Sequence, residues 1–320
     1  MRKVLLVLAI LLIAAGAYGA LAVKDNAQSG WAHPEAMATI DDVKWAVTHP
    51  KDYIIIDASK SKPVKSVKNA IWMSFKEVRQ RNSPLLKGIL CYPTKPGQFD
   101  PSELQHIFRQ LGVSEDKTVI VVARDPCDAG VVWFALYFLG FDNVKLLPVN
   151  YTAVGEGYLT TDFDVYSPDM PETGDFTVDE NKIRWHMYAT VDEILLAIED
   201  PSIEICDVRP EAYYNGSKAK TIRGGHIYTA INIPYSLFWE DKYMKKLKSK
   251  EELEALVEEK FPREKVKKII ATCNTGHKAT GPGFLIWQLG YDWALDDAAW
   301  NLHAFNGAIP ASNIQILVKP

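Results

Sequence analysis

The apolar and polar positions of this chain lay out one pattern twice. Two short apolar runs that include an aspartate, Tyr53-Ile54-Ile55-Ile56-Asp57-Ala58 and Ile203-Glu204-Ile205-Cys206-Asp207-Val208, each follow a stretch with helical spacing, 40–47 and 191–198. Acidic amphipathic stretches come next, 101–111 and 250–260, and lead into a second pair of apolar runs, Lys117-Thr118-Val119-Ile120-Val121-Val122 and Val266-Lys267-Lys268-Ile269-Ile270-Ala271. Each of these is followed by a turn and a helix pattern rich in large apolar residues, 131–139 and 283–289, which closes on Leu139-Gly140-Phe141-Asp142 or Leu289-Gly290-Tyr291-Asp292. Corresponding positions stand about 150 residues apart. Strands that are apolar throughout and alternate with helices predict parallel sheets covered on both faces. The expected fold is therefore α/β, two tandem domains, each a mostly parallel sheet flanked by helices. The predicted boundaries are 34–153 for the first domain and 180–320 for the second. Between them, 154–179 reads as a linker, with Gly155, Gly157, Pro168, Pro171 and Gly174.

The length of 320 residues suits two such domains, and 48 % hydrophobic with 24 % charged residues is the composition of a folded globular protein. Arg2 and Lys3 precede an unbroken apolar run, 4–23, with small residues at Ala20 and Ala22. This reads as a signal peptide over 1–22, or as an anchor if uncleaved, and the folded part is expected to be exported, in the periplasm or another extracytoplasmic space. No cysteine in that leader is available for lipid attachment. A net charge of −4, with the one Lys-rich stretch (242–250) lying among acidic residues, argues against a nucleic-acid partner. The four cysteines, Cys91, Cys127, Cys206 and Cys273, have no paired short spacing, and no His, Cys or carboxylate cluster has ligand spacing. No metal or organic cofactor is expected. Cys206 reads as a small core residue; Cys91 and Cys127 either pair in an oxidising compartment or stay free.

Cys273 stands where the second apolar strand of the second half ends and a helix is about to begin, in Thr272-Cys273-Asn274-Thr275-Gly276-His277-Lys278-Ala279-Thr280. Ligands of open parallel sheets bind beyond the carboxyl ends of the strands. Loop amides and a helix N-terminus there favour an anion, so the reading predicts a depressed thiol pKa and a nucleophilic sulfur. Gly276 lets the loop curl, Thr275 can donate a hydrogen bond, and His277 and Lys278 can add positive charge. In the first half, alignment from the strand places Asp125 opposite Cys273, whereas alignment from the helix places Cys127 near His277.

These residues carry a resemblance. Cys206-Asp207-Val208-Arg209, the run Arg223-Gly224-Gly225-His226-Ile227 and the six-residue loop Cys273–Lys278 are similar, in that order, to the motifs of tandem-domain rhodaneses, the thiosulfate/mercaptopyruvate sulfurtransferase family. The resemblance implies rhodanese-like folds in both halves, an inactive first domain with Asp125 at the cysteine position, and a catalytic second domain. It also implies a persulfide on Cys273, loaded from a small sulfur donor and passed to a thiol, to cyanide or to a protein sulfur acceptor. Asn274, Thr275, Gly276, His277 and Lys278 would form the substrate loop; Asp207, Arg209, Arg223 and His226 would support it. The chain departs from classical thiosulfate enzymes, which place a cation where Thr275 stands, and this puts thiosulfate in doubt as the donor. Two other readings stand beside this one: a sulfur or heavier-chalcogen relay with little small-donor turnover, and a thiol phosphatase or arsenate reductase. The last needs Arg at the position of Ala279 to clamp an oxyanion.

Overall fold

The computed structural model describes residues 30–79, 99–304 and 309–312. The leader at 1–22 and Cys91 lie outside them. Two parallel sheets form, one in each half, beside two short antiparallel pairs of strands. In the first, β1 (Tyr53–Asp57), β2 (Ala70–Trp72), β3 (Thr118–Val122), β4 (Val144–Leu146) and β5 (Asp164–Val165) run parallel in the order β4-β3-β1-β2-β5. In the second, β6 (Ile203–Asp207), β7 (Ile231–Asn232), β8 (Lys268–Thr272) and β9 (Asp292–Leu295) run parallel in the order β7-β6-β8-β9. The β-branched runs at the centre, Ile54-Ile55-Ile56 and Val119-Ile120-Val121-Val122, are buried, as strands covered on both faces must be.

Local details repeat between the halves. Helices α1 (Ile40–Thr48) and α4 (Val191–Glu199) both open on a capping box, Thr39 with Asp42 and Thr190 with Glu193. Asn69 (φ 62°) and Thr229 (φ 69°) take the left-handed conformation at the same point before the next strand. The central strands are in the same register: Asp57 pairs with Val122, and Asp207 with Thr272. The C-terminal end of each middle strand thus lies beside the entry to each strand-to-helix loop.

The amphipathic helices α2 (Ser102–Gln110) and α5 (Lys250–Glu258) cover outer faces. The two apolar ones do something else. In α3 (Pro126–Phe138) every residue but Tyr137 is buried, and in α6 (Thr280–Gln288) every residue is. A helix apolar all round needs cover on all sides, and these two obtain it by packing on each other between the sheets. Trp133 meets Phe284 edge-on at 4.7 Å and Trp287 at 5.6 Å. Near their N-termini the backbones approach so closely that a Cβ on Gly130 would lie 2.6 Å from Thr280 Oγ1, and one on Gly281 would lie 2.9 Å from Cys127 Sγ. Residues 32–38 also link the halves: Ala32 N–H donates to the Gln288 carbonyl, and Ala38 N–H to that of Leu146.

Both apolar helices begin earlier than their patterns predict, at Pro126 rather than 131 and at Thr280 rather than 283. Pro126 and Pro282 sit in first turns, where an amide proton has no helical partner to lose, so they do not interrupt the helix. The segment 154–179 is more than a connection. Leu159–Thr160 pairs antiparallel with Ser66–Val67, and β5 adds the edge strand of the first sheet. Among the described residues no helix is long and apolar enough to cross a membrane.

The close helix crossing gives a stability test. Gly130→Val must force α3 and α6 apart and should destabilise the protein by about 1–3 kcal/mol, lowering the thermal midpoint by several degrees. Gly157, with open space around it, serves as control: Gly157→Ala should shift the midpoint by no more than about 1–2 °C.

Candidate active site

Cys273 follows the last residue of β8 directly and is 3 % exposed. Backbone N–H groups of Thr275, Ala279 and Lys278 point at its sulfur. The loop is held from behind by the N-terminus of α7 (Ala299–His303): Trp300 N–H donates to the Cys273 carbonyl and Asn301 N–H to that of Asn274, both at 3.0 Å. Gly276 has φ 72°, and a Cβ there would lie 2.9 Å from Asp297 Oδ1 and 3.2 Å from its Cα, so both conformation and space require glycine. Thr275 meets the sulfur through its amide. Asn274 is half-buried, and its side-chain oxygen is buried without a hydrogen-bond partner.

The thiol departs from expectation in one respect. Burial pushes its pKa up, above the usual thiol value, although the three amides and the charge of Arg79 pull the other way. The loop and the helix end favour the thiolate, but desolvation, which local sequence does not reveal, disfavours it.

The two loop cations are turned to the first half. Lys278 Nζ is bonded to Asp125 Oδ2 and lies over the Tyr235 ring at 4.8 Å. Burial opposes its charge, but the Cys127 sulfur and the Asp125 carboxylate raise its pKa above the usual lysine value. Against the same burial, Lys278 and His277 hold the Asp125 carboxyl below the usual range. His277 Nε2 lies 2.6 Å from Asp128 Oδ1, and its ring stacks on Phe75 at 4.3 Å. Burial lowers its pKa, against the pull of Asp128. Asp125 also caps α3 by accepting the Cys127 N–H at 3.0 Å. Cys127 itself is buried beside α6, with a free thiol whose pKa burial raises well above the usual value.

The four supporting residues lie together behind the loop, and their contacts are structural. Arg209 and Asp207 form a buried ion pair, Nη2 to Oδ2 at 2.6 Å, and Arg209 Nη2 also donates to the Gly225 carbonyl at 2.8 Å. Arg223 Nη2 donates to the His303 carbonyl at 2.9 Å. The guanidinium groups of Arg209 and Arg223 lie over the Trp300 ring at 5.1 and 5.4 Å. They thereby fix the residue whose N–H holds the Cys273 carbonyl. His226 stacks on Tyr214 at 3.7 Å with Nδ1 2.7 Å from the Tyr214 carbonyl, which pins the turn Glu211–Tyr214 to the sheet edge.

Several residues at the site were not foreseen. Arg79, from the first half, donates to the Thr275 carbonyl and lies close enough for its charge to act on Cys273. Nothing in the local sequence marks it. Asp128 and Phe75 are the partners of His277. Beneath the loop, Asp296 is fully buried; it accepts from Thr272 Oγ1 at 2.6 Å and from Ala299 N–H at 2.9 Å, and lies 3.0 Å from His303 Nε2. The acidic pair Asp296-Asp297 at the end of an apolar strand was a signal for such a cluster. Among the described residues no group of three or more His, Cys, Asp or Glu is placed to hold a metal ion.

The raised thiol pKa sets a pH profile. Only the thiolate reacts with iodoacetamide, so the rate of Cys273 alkylation should rise about tenfold per pH unit through pH 8.5 and beyond, where an ordinary thiol begins to level off. A plateau below pH 7, read against Cys273→Ser as blank, would contradict the assignment.

Known proteins match this architecture. Residues 190–302 match the model of the rhodanese-like domain. The chain is 29 % identical over 198 residues to a Synechococcus elongatus protein named for thiosulfate sulfurtransferase activity, a match covering 57 % of each chain. It is 26 % identical over 224 residues to the 3-mercaptopyruvate sulfurtransferase of Escherichia coli K12, covering 67 % of this chain and 75 % of the other. Among solved structures, the Tum1 protein of Saccharomyces cerevisiae superposes with a TM-score of 0.70 at 18 % identity over 87 % of this chain and 98 % of that one. The Escherichia coli 3-mercaptopyruvate sulfotransferase structure gives 0.62 at 23 % identity over 81 % and 97 %. The second half thus carries a rhodanese-like domain over residues 190–302, and the described residues share the fold of these sulfurtransferase structures.

Proposed function

We propose that the protein is a sulfurtransferase that carries sulfane sulfur as a persulfide on Cys273. The observation that supports this most directly is the convergence of the Thr275, Ala279 and Lys278 amides on one sulfur at the end of a parallel strand. Such a cradle suits an anion that extends one atom beyond the thiolate. The names of the two curated relatives point to the same chemistry.

In the first step the Cys273 thiol gives its proton to solvent and the thiolate attacks the outer sulfur of a donor. With thiosulfate, the sulfur–sulfur bond breaks and sulfite leaves with the electron pair. With 3-mercaptopyruvate, the carbon–sulfur bond breaks, the pair passes to carbon, and the donor's thiol proton completes pyruvate. Either way Cys273 is left as the persulfide anion. A nucleophile such as cyanide or a thiolate then takes the outer sulfur and returns the thiolate. Asp207, Arg209, Arg223 and His226 act by position, through Trp300 and the loops they tie together. We propose also, from the apolar run 4–23, that this chemistry takes place outside the cytoplasm.

One observation favours a second reading. A thiol 3 % exposed, with a raised pKa, suits a carrier that holds sulfur for a partner and turns over small donors slowly. A phosphatase is not supported: Ala279 stands where the clamping Arg would be, and its amide faces the sulfur.

Transfer of sulfur to cyanide, followed as thiocyanate, should fall by a factor on the order of 10³ or more in Cys273→Ser, while Cys127→Ser should stay within about threefold of the parent. Retention of transfer by Cys273→Ser would remove the assignment. Slow thiocyanate release by a parent protein that is fully loaded with sulfur would select the carrier reading.

A further inference from the structure

Just past the end of β9, beneath the Cys273 loop, Asp296 and His303 are both fully buried. Thr272 Oγ1 donates to Asp296 Oδ2 at 2.6 Å, Ala299 N–H donates to Oδ1 at 2.9 Å, and His303 Nε2 lies 3.0 Å from both oxygens. Burial opposes the charge of Asp296, yet these partners hold its carboxyl below the usual range. A carboxylate can only accept, so the proton on the His303 ring is at Nε2. Nδ1 has no hydrogen-bond partner among the described residues, which makes Asp296 the ring's one such partner among them.

These bonds converge on the segment that holds the cysteine. Thr272 immediately precedes Cys273, and Asp296 N–H donates to the Ala271 carbonyl at 3.0 Å. Ala299 opens α7 with φ 52°, a left-handed conformation that a residue other than glycine keeps only where its surroundings fix it. The next two N–H groups, of Trp300 and Asn301, hold the carbonyls of Cys273 and Asn274. At the far end of α7 the His303 carbonyl accepts from Arg223 Nη2, while Trp300 Nε1 donates to the Arg223 carbonyl at 3.1 Å. A helix of five residues has little stability of its own. Asp296 ties its first and last residues to the strand that carries the cysteine.

We propose that Asp296 and His303 are positioning residues for sulfur transfer: by clamping both ends of α7 they keep the Cys273 loop curled, with its amides aimed at the sulfur. The proposal rests on the sulfur-transfer reading above. Neither residue touches the sulfur in this arrangement. Their effect falls on the rate of the step, because amides that meet charge on the reacting sulfur speed its transfer without tightening the binding of the donor.

The test is single-turnover loading of Cys273, read by intact mass with Cys273→Ser as blank. Thiosulfate, 3-mercaptopyruvate and polysulfide are the probes, and the one that loads the parent fastest is carried to the variants. Intact mass separates the rate constant of loading from the fraction of molecules that load, and partial unfolding lowers only the fraction. His303→Leu should lower the maximal rate constant by about ten- to hundredfold, with the half-saturating donor concentration within about threefold of the parent. His303→Gln, whose amide N–H can reach the place of Nε2, should recover to within about threefold. Thr272→Val, close in shape but lacking one bond to Asp296, should slow loading by about three- to tenfold. An unchanged rate constant in folded His303→Leu, equal slowing in His303→Leu and His303→Gln, or a raised half-saturating concentration at an unchanged maximal rate overturns the proposal. If His303→Leu does not fold, Thr272→Val decides: slowing of that size supports the clamp, and an unchanged rate constant overturns it. Those results defeat this proposal alone; a parent that loads from none of the three donors defeats the sulfur-transfer reading with it.

Discussion

The packing of α3 on α6 is the constraint on which the rest of the site depends. Both helices are apolar on every side, so neither is stable on a sheet that faces water, and each supplies the cover the other lacks. Glycines at the crossing let the N-terminal turns come nearly into backbone contact. The strand-to-helix loops of the two halves therefore meet, and the ion pair of Lys278 with Asp125 and the contact of His277 with Asp128 follow. The surroundings of Cys273 are a joint product of the two halves, of which only the second places a cysteine at the end of its strand.

At the sulfur, two effects of opposite sign are balanced. Amides converge on it, which favours the anion; burial to 3 % exposure disfavours it, and in the resting protein burial prevails. The cradle's position is in turn set from behind, through Trp300, by residues that never touch sulfur. The two halves differ at this very support. Asp207 keeps its buried partner Arg209, whereas Asp57 has Ser59 at the matching place. Asp57 accepts from Ser66 Oγ at 2.6 Å, and burial raises its pKa. An ion pair whose loss would leave a charge buried persists where the loop is chemically equipped; where it is not, hydroxyl and amide hydrogen bonds suffice.

Much of the fold was legible in the sequence because its signals are local. The runs at 53–58, 117–122, 203–208 and 266–271 hold strands, and the Asp and Gly positions kept the two halves aligned. The early starts of α3 and α6 were hidden by prolines and glycines that read as breakers, yet occupy first turns or the close crossing. The short strands within 154–179 carry no alternation to detect, being set by what they pair with. At the site, Cys273, Gly276 and the amide loop were readable from residue type and spacing. The roles of His277 and Lys278 were not, since a side chain's partner lies across the structure, and Arg79 reaches the loop only through the tertiary fold.

Where sulfur resides on the loaded protein decides whether Cys273 carries it. Peptide mapping of the intact protein after brief exposure to a sulfane-sulfur donor, with persulfides trapped by alkylation, locates it directly. The added sulfur is predicted on the peptide carrying Cys273, with Cys127 and Cys206 unmodified in their buried settings. Sulfur found on Cys127, or on no cysteine at all, would contradict it.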